Sequence, residues 1–267
     1  MPVHLTPTLR DALGAASRPL AGIWVCSGSS LVAEIVAGSG IDWLLIDQEH
    51  GPNDLQSTLL QLQAVAAYPV TPVVRVPSDD FVAIKQVLDL GAQNLLVPMV
   101  SSAAQAEDIV RAIRYPPLGI RGVGSALARS ARWNRIDDYL LDADRHVSLF
   151  VQIETAAGVD AAAEIAAVDG VDGVFVGPSD LAASMGLLGQ QTHPDVIAAV
   201  LRAFEAVLQA GKPVGVNAFD PAMAQRYLDA GASFVLVGAD VAMLARGSET
   251  LAARFGSTAE QRETDSY

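Results

Sequence analysis

The 267-residue sequence predicts a (β/α)8 barrel, and three observations carry that prediction. One spacing recurs four times: a Gly, a short apolar run beginning about four residues later, and a special residue at the seventh position. The copies are Gly40-Ile-Asp-Trp-Leu-Leu-Ile-Asp47, Gly91-Ala-Gln-Asn-Leu-Leu-Val-Pro98, Gly170-Val-Asp-Gly-Val-Phe-Val-Gly177 and Gly231-Ala-Ser-Phe-Val-Leu-Val-Gly238. Each reads as a helix C-cap glycine, a turn and a buried strand. The apolar runs are continuous rather than alternating, which suits parallel strands covered on both faces. Finally, a further strand candidate precedes or separates the copies and helical patterns lie between. Eight strand–helix pairs in about 250 residues is the arithmetic of this barrel. A doubly wound open sheet is the rival, but the turn after its first strand usually carries G-x-G-x-x-G, which Val25-Cys-Ser-Gly-Ser does not match.

In chain order, strand Ala21–Val25 is followed by helix Ser30–Ala37. The second strand exits at Asp47, ahead of helix Leu55–Ala67. Strand Thr71–Val76 leads to helix Phe81–Leu90, and the fourth strand, exiting at Pro98, leads to helix Ala103–Ile113. The stretch Arg114–Asn134, rich in Pro, Gly and Arg, is an irregular insertion of the length that loops in compact domains reach when they serve function. Strand Val147–Ile153 and helix Ala157–Ala167 come next, then the sixth strand to Gly177 and helix Pro194–Ala210. Strand Pro213–Asn217, helix Pro221–Ala230, the eighth strand to Gly238 and helix Val241–Phe255 complete the set. No domain boundary is visible, so residues 1–267 read as a single barrel with a polar, frayed tail from Gly256.

Composition narrows the function. With 51% hydrophobic and 18% charged residues the chain is too apolar for disorder, yet no apolar run reaches the ~20 residues of a membrane helix. The segment Met1–Arg10 has no secretory signature, and the single Cys26 excludes an internal disulfide; both suit a cytoplasmic protein. The net charge of -13 repels a polyphosphate backbone, so nucleic acid is not an expected partner.

Chemistry in such barrels gathers at the C-terminal ends of the strands. There lie Asp47, Glu49 and His50, then Arg75, Gln152, Glu154, Ser179, Asp180 and Asn217. Lys212 and His146 precede their strands, Lys85 is inside a helix, His4 is in the N-terminal arm and His193 begins a helix. With no lysine at the reacting end, Schiff-base and pyridoxal chemistry are excluded, and a carbonyl must be activated by a metal or by hydrogen bonds. Glu154 and Asp180 end neighbouring strands and form the type of carboxylate pair that Mg²⁺ or Mn²⁺ accepts; alternatively, they favour nearby helix dipoles. Gly177-Pro178-Ser179 adds a helix start able to hold a carboxylate or phosphate. Arg75 at a strand end needs an anion, either a substrate or a structural partner such as Glu49 or Glu154. His50 with Asp47 forms a candidate base and its orienting carboxylate. Cys26 reads as an inert buried thiol, Trp43 and Phe175 as packing, and Arg129, Arg132 and Arg135 as a solvated or subunit-facing helix edge.

Taken in order, Asp47-Gln-Glu-His50-Gly51, Val74-Arg75-Val76, Leu95-Leu-Val-Pro-Met99, Arg114-Tyr-Pro-Pro-Leu-Gly-Ile-Arg-Gly-Val-Gly124, Gln152-Ile-Glu154-Thr and Gly173-Val-Phe-Val-Gly-Pro-Ser-Asp-Leu181 resemble the HpcH/HpaI family of metal-dependent class II pyruvate aldolases, 4-hydroxy-2-oxoheptanedioate aldolase being the nearest type. The match runs from about Gly22 to Phe255. The resemblance implies a (β/α)8 barrel assembled as a homo-hexamer, a trimer of dimers that exchange the C-terminal helix. It implies reversible cleavage of 4-hydroxy-2-oxo acids to pyruvate and an aldehyde such as succinic semialdehyde, through a metal-stabilised pyruvate enolate. By motif, Glu154 and Asp180 would ligate Mg²⁺, Mn²⁺ or Co²⁺. The backbone N–H groups of Ser179 and Asp180 would hold the pyruvate carboxylate, Arg75 would touch the keto or enolate oxygen and Gln152 would lie beside it. His50, oriented by Asp47, would move protons. Val123 in the Gly122–Gly124 loop would line the aldehyde side, and Asp89 would reach a neighbouring subunit's site.

The seventh-strand exit, Gly215-Val-Asn217-Ala-Phe219, aligns poorly with the family and leaves the aldehyde open, with Asn217 and Phe219 as candidates for altering it. Hydroxypyruvate as donor and a 2-keto-3-deoxy-sugar acid as substrate are the variants within the family. A citryl- or malyl-CoA-type lyase would need extra basic surface, available only from Arg129–Arg135. A sugar-phosphate enzyme would use Gly238-Ala-Asp as a phosphate loop. A binding barrel without catalysis would not need His50, Asp47, Arg75, Glu154 and Asp180 at one face.

Overall fold

The computed structural model describes residues 5–124 and 126–256; His4 and residues 257–267, with the tail expected there, lie outside it. The strands are β1 (Leu20–Val25), β2 (Trp43–Asp47), β3 (Thr71–Arg75), β4 (Asn94–Val97), β5 (Ser148–Ile153), β6 (Gly173–Val176), β7 (Val214–Asn217) and β8 (Phe234–Ala239). All pair in parallel in chain order, and β8 closes onto β1. The α-helices are α1 (Leu9–Ala15), α2 (Ser30–Ala37), α3 (Leu55–Ala64), α4 (Phe81–Asp89), α5 (Ala103–Ile113), α6 (Tyr139–Asp142), α7 (Ala156–Asp160), α8 (Ala162–Ala167), α9 (Pro178–Ser184), α10 (Pro194–Gln209), α11 (Pro221–Asp229) and α12 (Asp240–Phe255).

Helix α10 shows how the sequence builds the outer ring. Pro194 opens it without needing a hydrogen-bond partner, and the His193 side chain accepts from the Asp195 N–H. Val196, Val200, Ala203 and Val207 recur at helical spacing and are fully buried against the sheet. Gly211, at φ 73°, turns the chain toward β7.

Two layers of apolar side chains result. One lies between sheet and helices. The other fills the cylinder with Trp24, Trp43, Phe150, Phe175 and Phe234, so Trp43 and Phe175 pack as expected. Phe234 meets Phe150 edge-on at 5.3 Å and Trp43 at 5.7 Å. These rings fit because Gly22, Gly173 and Gly215 stand against Trp43, Phe150 and Phe234, where a Cβ would collide.

Helix α1 is an element that the strand–helix count does not predict. Thr8 and Asp11 form a capping box at its start. Leu9 is buried against the cylinder's N-terminal end, and its N–H donates to Asn94 Oδ1 at 2.6 Å. Burying that leucine contributes roughly 1.5–3 kcal/mol and closes the floor opposite the site. The helix expected over 157–167 is split at Ala161 into α7 and α8, and α9 is a further short helix.

The basic stretch needs correcting. Residues 129–135 are turns, not a helix edge, and Arg132, Trp133 and Asn134 have positive φ. Arg129 and Arg132 fold back half-buried: Arg129 Nη1 donates to the Leu90 carbonyl at 2.9 Å, and Arg132 Nη1 donates to the Arg129 carbonyl at 2.6 Å. Burial, reinforced by Arg132, pulls the Arg129 guanidinium down to about 10. Only Arg135 stays exposed, 5.6 Å from the Trp133 ring.

Candidate active site

The register sets the site. Asp47 ends β2 and Arg75 ends β3 as direct partners, so their side chains meet. Arg75 donates from Nε to Asp47 Oδ1 at 2.8 Å and from Nη2 to Asp47 Oδ2 at 2.9 Å. Its Nη1 lies 2.9 Å from Glu49 Oε2, an ion pair without a well-directed hydrogen bond. The guanidinium rests 4.3 Å above the Trp24 ring. Burial alone would lower the Arg75 pKa, but the hydrogen bonds to Asp47 and the charges of Asp47, Glu49 and Glu154 outweigh it and raise it. Arg75 is therefore a fixed cation, 4% exposed, at the mouth.

Asp47 does not orient His50 as the sequence suggested. Its Oδ1 accepts from the backbone N–H of Glu49 at 3.0 Å and of His50 at 3.4 Å, while the carboxylate as a whole grips Arg75. The His50 ring is largely exposed at the rim, with Nε2 3.8 Å from Glu49 Oε2. A buried guanidinium is the stronger claim on a carboxylate, which explains the difference. Glu49, which the sequence offered as an ion-pair partner of Arg75, thus lies between that fixed cation and the His50 ring. Burial pushes its carboxyl up, against the pull of Arg75 and His50.

Across the mouth, Glu154 follows β5 and is 2% exposed. Its Oε1 accepts from the Met99 N–H at 2.8 Å and its Oε2 from Gln152 Nε2. Burial raises the Glu154 carboxyl to about 7; those two hydrogen bonds oppose the rise, and the Glu49 and Asp180 carboxylates add to it. Gly177 makes this crowding feasible, because a Cβ there would stand 2.7 Å from Glu154 Oε2. Among the described residues the Gln152 Oε1 is buried without a hydrogen-bond partner. Asp180 lies exposed in the first turn of α9, whose N-cap Gly177 offers no side chain to the free N–H groups of Ser179 and Asp180.

The charge balance is lopsided. Asp47, Glu49, Glu154 and Asp180 act on one another's surroundings, with Arg75 as the one arginine among them. A divalent cation fits this set. It would neutralise the surplus, take the charged form of Glu154 and meet oxygen ligands only. The described residues contain no cluster of three or more His, Cys, Asp or Glu side chains set for a metal, so the cation would rest on two carboxylates and non-protein ligands.

Asp47, His50, Arg75, Gln152, Ser179 and Asp180 border one cavity of about 570 Å³, closed on the far side by Trp24, Phe175, Asn217 and Phe219. Glu154, Asp89 and Val123 are not among the residues that border it. Asp89 ends α4, below the mouth, where it accepts from Arg121 Nη2 at 3.3 Å, and Val123 is exposed nearby in the loop that packs on α4. Cys26 borders the cavity as a thiol pushed up to about 12 by burial and by Asp47 and Asp240. Nor is 238–240 a phosphate loop: the buried Asp240 carboxylate itself accepts from the N–H groups of Cys26, Ser27 and Val241.

Trp24, under the Arg75 guanidinium, is the site residue that sequence reasoning passed over. Trp24 carried a signal, since it lies next to the exit of the first strand.

Known proteins share this fold. The chain is 56% identical over 248 residues, 93% of its length and 94% of the relative's, to 4-hydroxy-2-oxo-heptane-1,7-dioate aldolase of Salmonella arizonae. A crystal structure of an HpcH/HpaI aldolase/citrate lyase family protein from Burkholderia cenocepacia J2315 is 43% identical and superposes with a TM-score of 0.89, covering 94% of this chain and 100% of that one. The citrate synthase SbnG is 29% identical, with a TM-score of 0.82 over 92% of this chain and 97% of that one. With the family model for HpcH/HpaI aldolase/citrate lyase matching residues 20–247, the chain belongs to that family.

Proposed function

We propose that this chain is the aldolase that cleaves 4-hydroxy-2-oxoheptanedioate reversibly to pyruvate and succinic semialdehyde. The surplus of buried negative charge around one fixed guanidinium carries the proposal, because an anionic keto acid enters such a mouth only with a cation. Glu154 and Asp180 would hold Mg²⁺, Mn²⁺ or Co²⁺. When bound, the cation supplies a Lewis acid that polarises the keto oxygen of the substrate.

The chain's own groups do the rest. The N–H groups of Ser179 and Asp180 hold the carboxylate of the keto acid. Arg75, held rigid by Asp47, donates its remaining N–H groups to the oxygen that gains charge as the C3–C4 bond breaks. Gln152 orients Glu154. His50 Nε2 takes the proton of the 4-hydroxyl as the aldehyde forms and returns it in condensation. Glu49, beside both His50 and Arg75, steadies the protonated ring.

Helix α12 supports assembly. Of its residues only Asp240 is buried, while Leu244, Leu251 and Phe255 are exposed. A helix that leaves such apolar side chains uncovered in one copy suits exchange between dimer partners within a homo-hexamer. No helix among the described residues is long and apolar enough to cross a membrane, and the lone Cys26 suits the cytoplasm. Burial of Arg129 and Arg132 weighs against a CoA-ester lyase, which needs that basic surface free.

Chelator-stripped protein given pyruvate and succinic semialdehyde should condense them only after Mg²⁺ or Mn²⁺ is added, and Glu154→Gln should not respond. Full turnover without metal would refute the proposal. Borohydride with pyruvate should label no lysine.

A further inference from the structure

We infer that Met99 and Gln105 are positioning residues for the cation: Gln105 braces a left-handed turn at Met99, and the Met99 N–H aims the Glu154 carboxylate. The inference rests on the reading of Glu154 as a metal ligand. It adds two residues, outside the set that borders the cavity, that govern how tightly the ion is held.

Met99 follows β4 with φ 58°. Among the described residues outside the segment between α5 and β5, it is the one residue other than glycine with a positive φ. A side chain disfavours that region, because its Cβ crowds the following carbonyl. Met99 is 49% exposed, so packing does not hold it there. Hydrogen bonds do. The Val100 N–H donates to the Gln152 carbonyl at 2.9 Å, and Ser101 Oγ lies 2.8 Å from Thr155 Oγ1. The turn is thus tied to the chain on either side of Glu154. Gln105, in the first turn of α5, meets it from the other direction. Its Oε1 accepts from the Ser101 N–H at 2.9 Å, and its Nε2 donates to Asp79 Oδ2 at 2.9 Å and reaches the Met99 carbonyl at 3.4 Å. One amide therefore spans the turn, and Asp79 steadies that amide.

The left-handed geometry serves Glu154. The Met99 N–H lies 2.8 Å from Glu154 Oε1. Strand β4 fixes the chain before Met99, and the ties to β5 fix it afterwards. A change of φ at Met99 must rotate the peptide between them and carry its N–H off the carboxylate. Gln152 holds the other oxygen, so the Met99 N–H is the second of two donors that set the rotation of Glu154. Partners of this kind around a metal ligand typically change affinity by about ten- to hundredfold. A disfavoured conformation kept by over-determining hydrogen bonds is the pattern expected where strain serves a site.

Mn²⁺ affinity tests this without turnover, read by electron paramagnetic resonance of the free ion with chelator-stripped protein. Gln105→Ala removes the brace and leaves Glu154, Asp180 and Gln152 in place. Affinity then falls with the fraction of molecules that keep the turn, by at least about threefold, and by roughly thirtyfold if the full left-handed penalty is released. Met99→Val raises the cost of the turn at an exposed side chain and should weaken binding in the same direction. Glycine adopts the left-handed region freely, so adding Met99→Gly to Gln105→Ala should recover most of the lost affinity. A merely structural glutamine would give no such recovery, because glycine only adds flexibility. Unchanged affinity in Gln105→Ala overturns the inference, even where the melting temperature falls. So does a double variant that binds no better than Gln105→Ala. Mn²⁺ binding undiminished in Glu154→Gln refutes the metal site itself, and the inference falls with it.

Discussion

Acidification from pH 8 to pH 6 should weaken Mn²⁺ binding about tenfold, and the burial of Glu154 sets the size of that effect. Only the charged carboxylate can take a cation. With its pKa raised to about 7, chiefly by burial, Glu154 is roughly nine-tenths charged at pH 8 and one-tenth charged at pH 6. At the ordinary value of 4.5 the same change would alter binding by only a few per cent. Stability moves with the same group. The folded value lies above the unfolded one, so the metal-free fold holds this proton more tightly than the unfolded chain does. The stability it contributes is fully present below about pH 4.5 and is lost as the pH rises through 7, by about 3 kcal/mol in all. A cation offsets that loss, so Mn²⁺ should raise the melting temperature more at pH 8 than at pH 6. Calorimetric titration of chelator-stripped protein in two buffers of different ionisation enthalpy measures both the affinity and the protons released. Equal affinity at the two pH values, with no proton released at pH 6, would refute the reasoning.

Other perturbations follow from the same geometry. Arg75→Met strands Asp47 and Glu49 in the interior; it should abolish turnover and cost about 3–5 kcal/mol, a fall of roughly 6–20 °C by scanning calorimetry. Gly177→Ala places a methyl 2.7 Å from Glu154 Oε2 and 3.0 Å from Gln152 Nε2, so Mn²⁺ affinity should drop at least about tenfold while the circular dichroism spectrum is retained. Cys26, with its thiol at about 12, should react with Ellman's reagent at pH 8 roughly a thousandfold more slowly in the folded protein than after denaturation. Leu244→Glu with Leu251→Glu should lower the particle mass in light scattering, and an unchanged mass would remove α12 from the interface.

Much of this architecture was legible because it repeats. The four glycine-led copies locate β2, β4, β6 and β8 to within a few residues, since a parallel strand buried on both faces must be apolar throughout. Helix α1 was not, although Thr8 and Asp11 carry the capping signal, because a single short helix before the first strand has no repeat to announce it. In the site, the carboxylates and Arg75 were legible from their strand ends. The partnering was not: Asp47 looked like the companion of His50 because they are close in sequence, yet the register of β2 and β3 gives it to Arg75. The basic run Arg129–Arg135 misled for a related reason. Charge alone says solvent, but the turns at Arg132 and Asn134 fold Arg129 onto the carbonyl that ends the fourth helix.

The strand ends divide the labour of the mouth between opposite arcs of the cylinder. Every member of the interlocked charge set sits at or just beyond the end of β2, β3, β5 or β6, whereas the Trp24–Asn217 contact joins β1 to β7. Among the described residues the Asn217 side chain makes no hydrogen bond to a member of the first arc. The side of the mouth that carries Asn217 and Phe219 is thus open to substitution without breaking the ion pairs that hold Arg75 on the other.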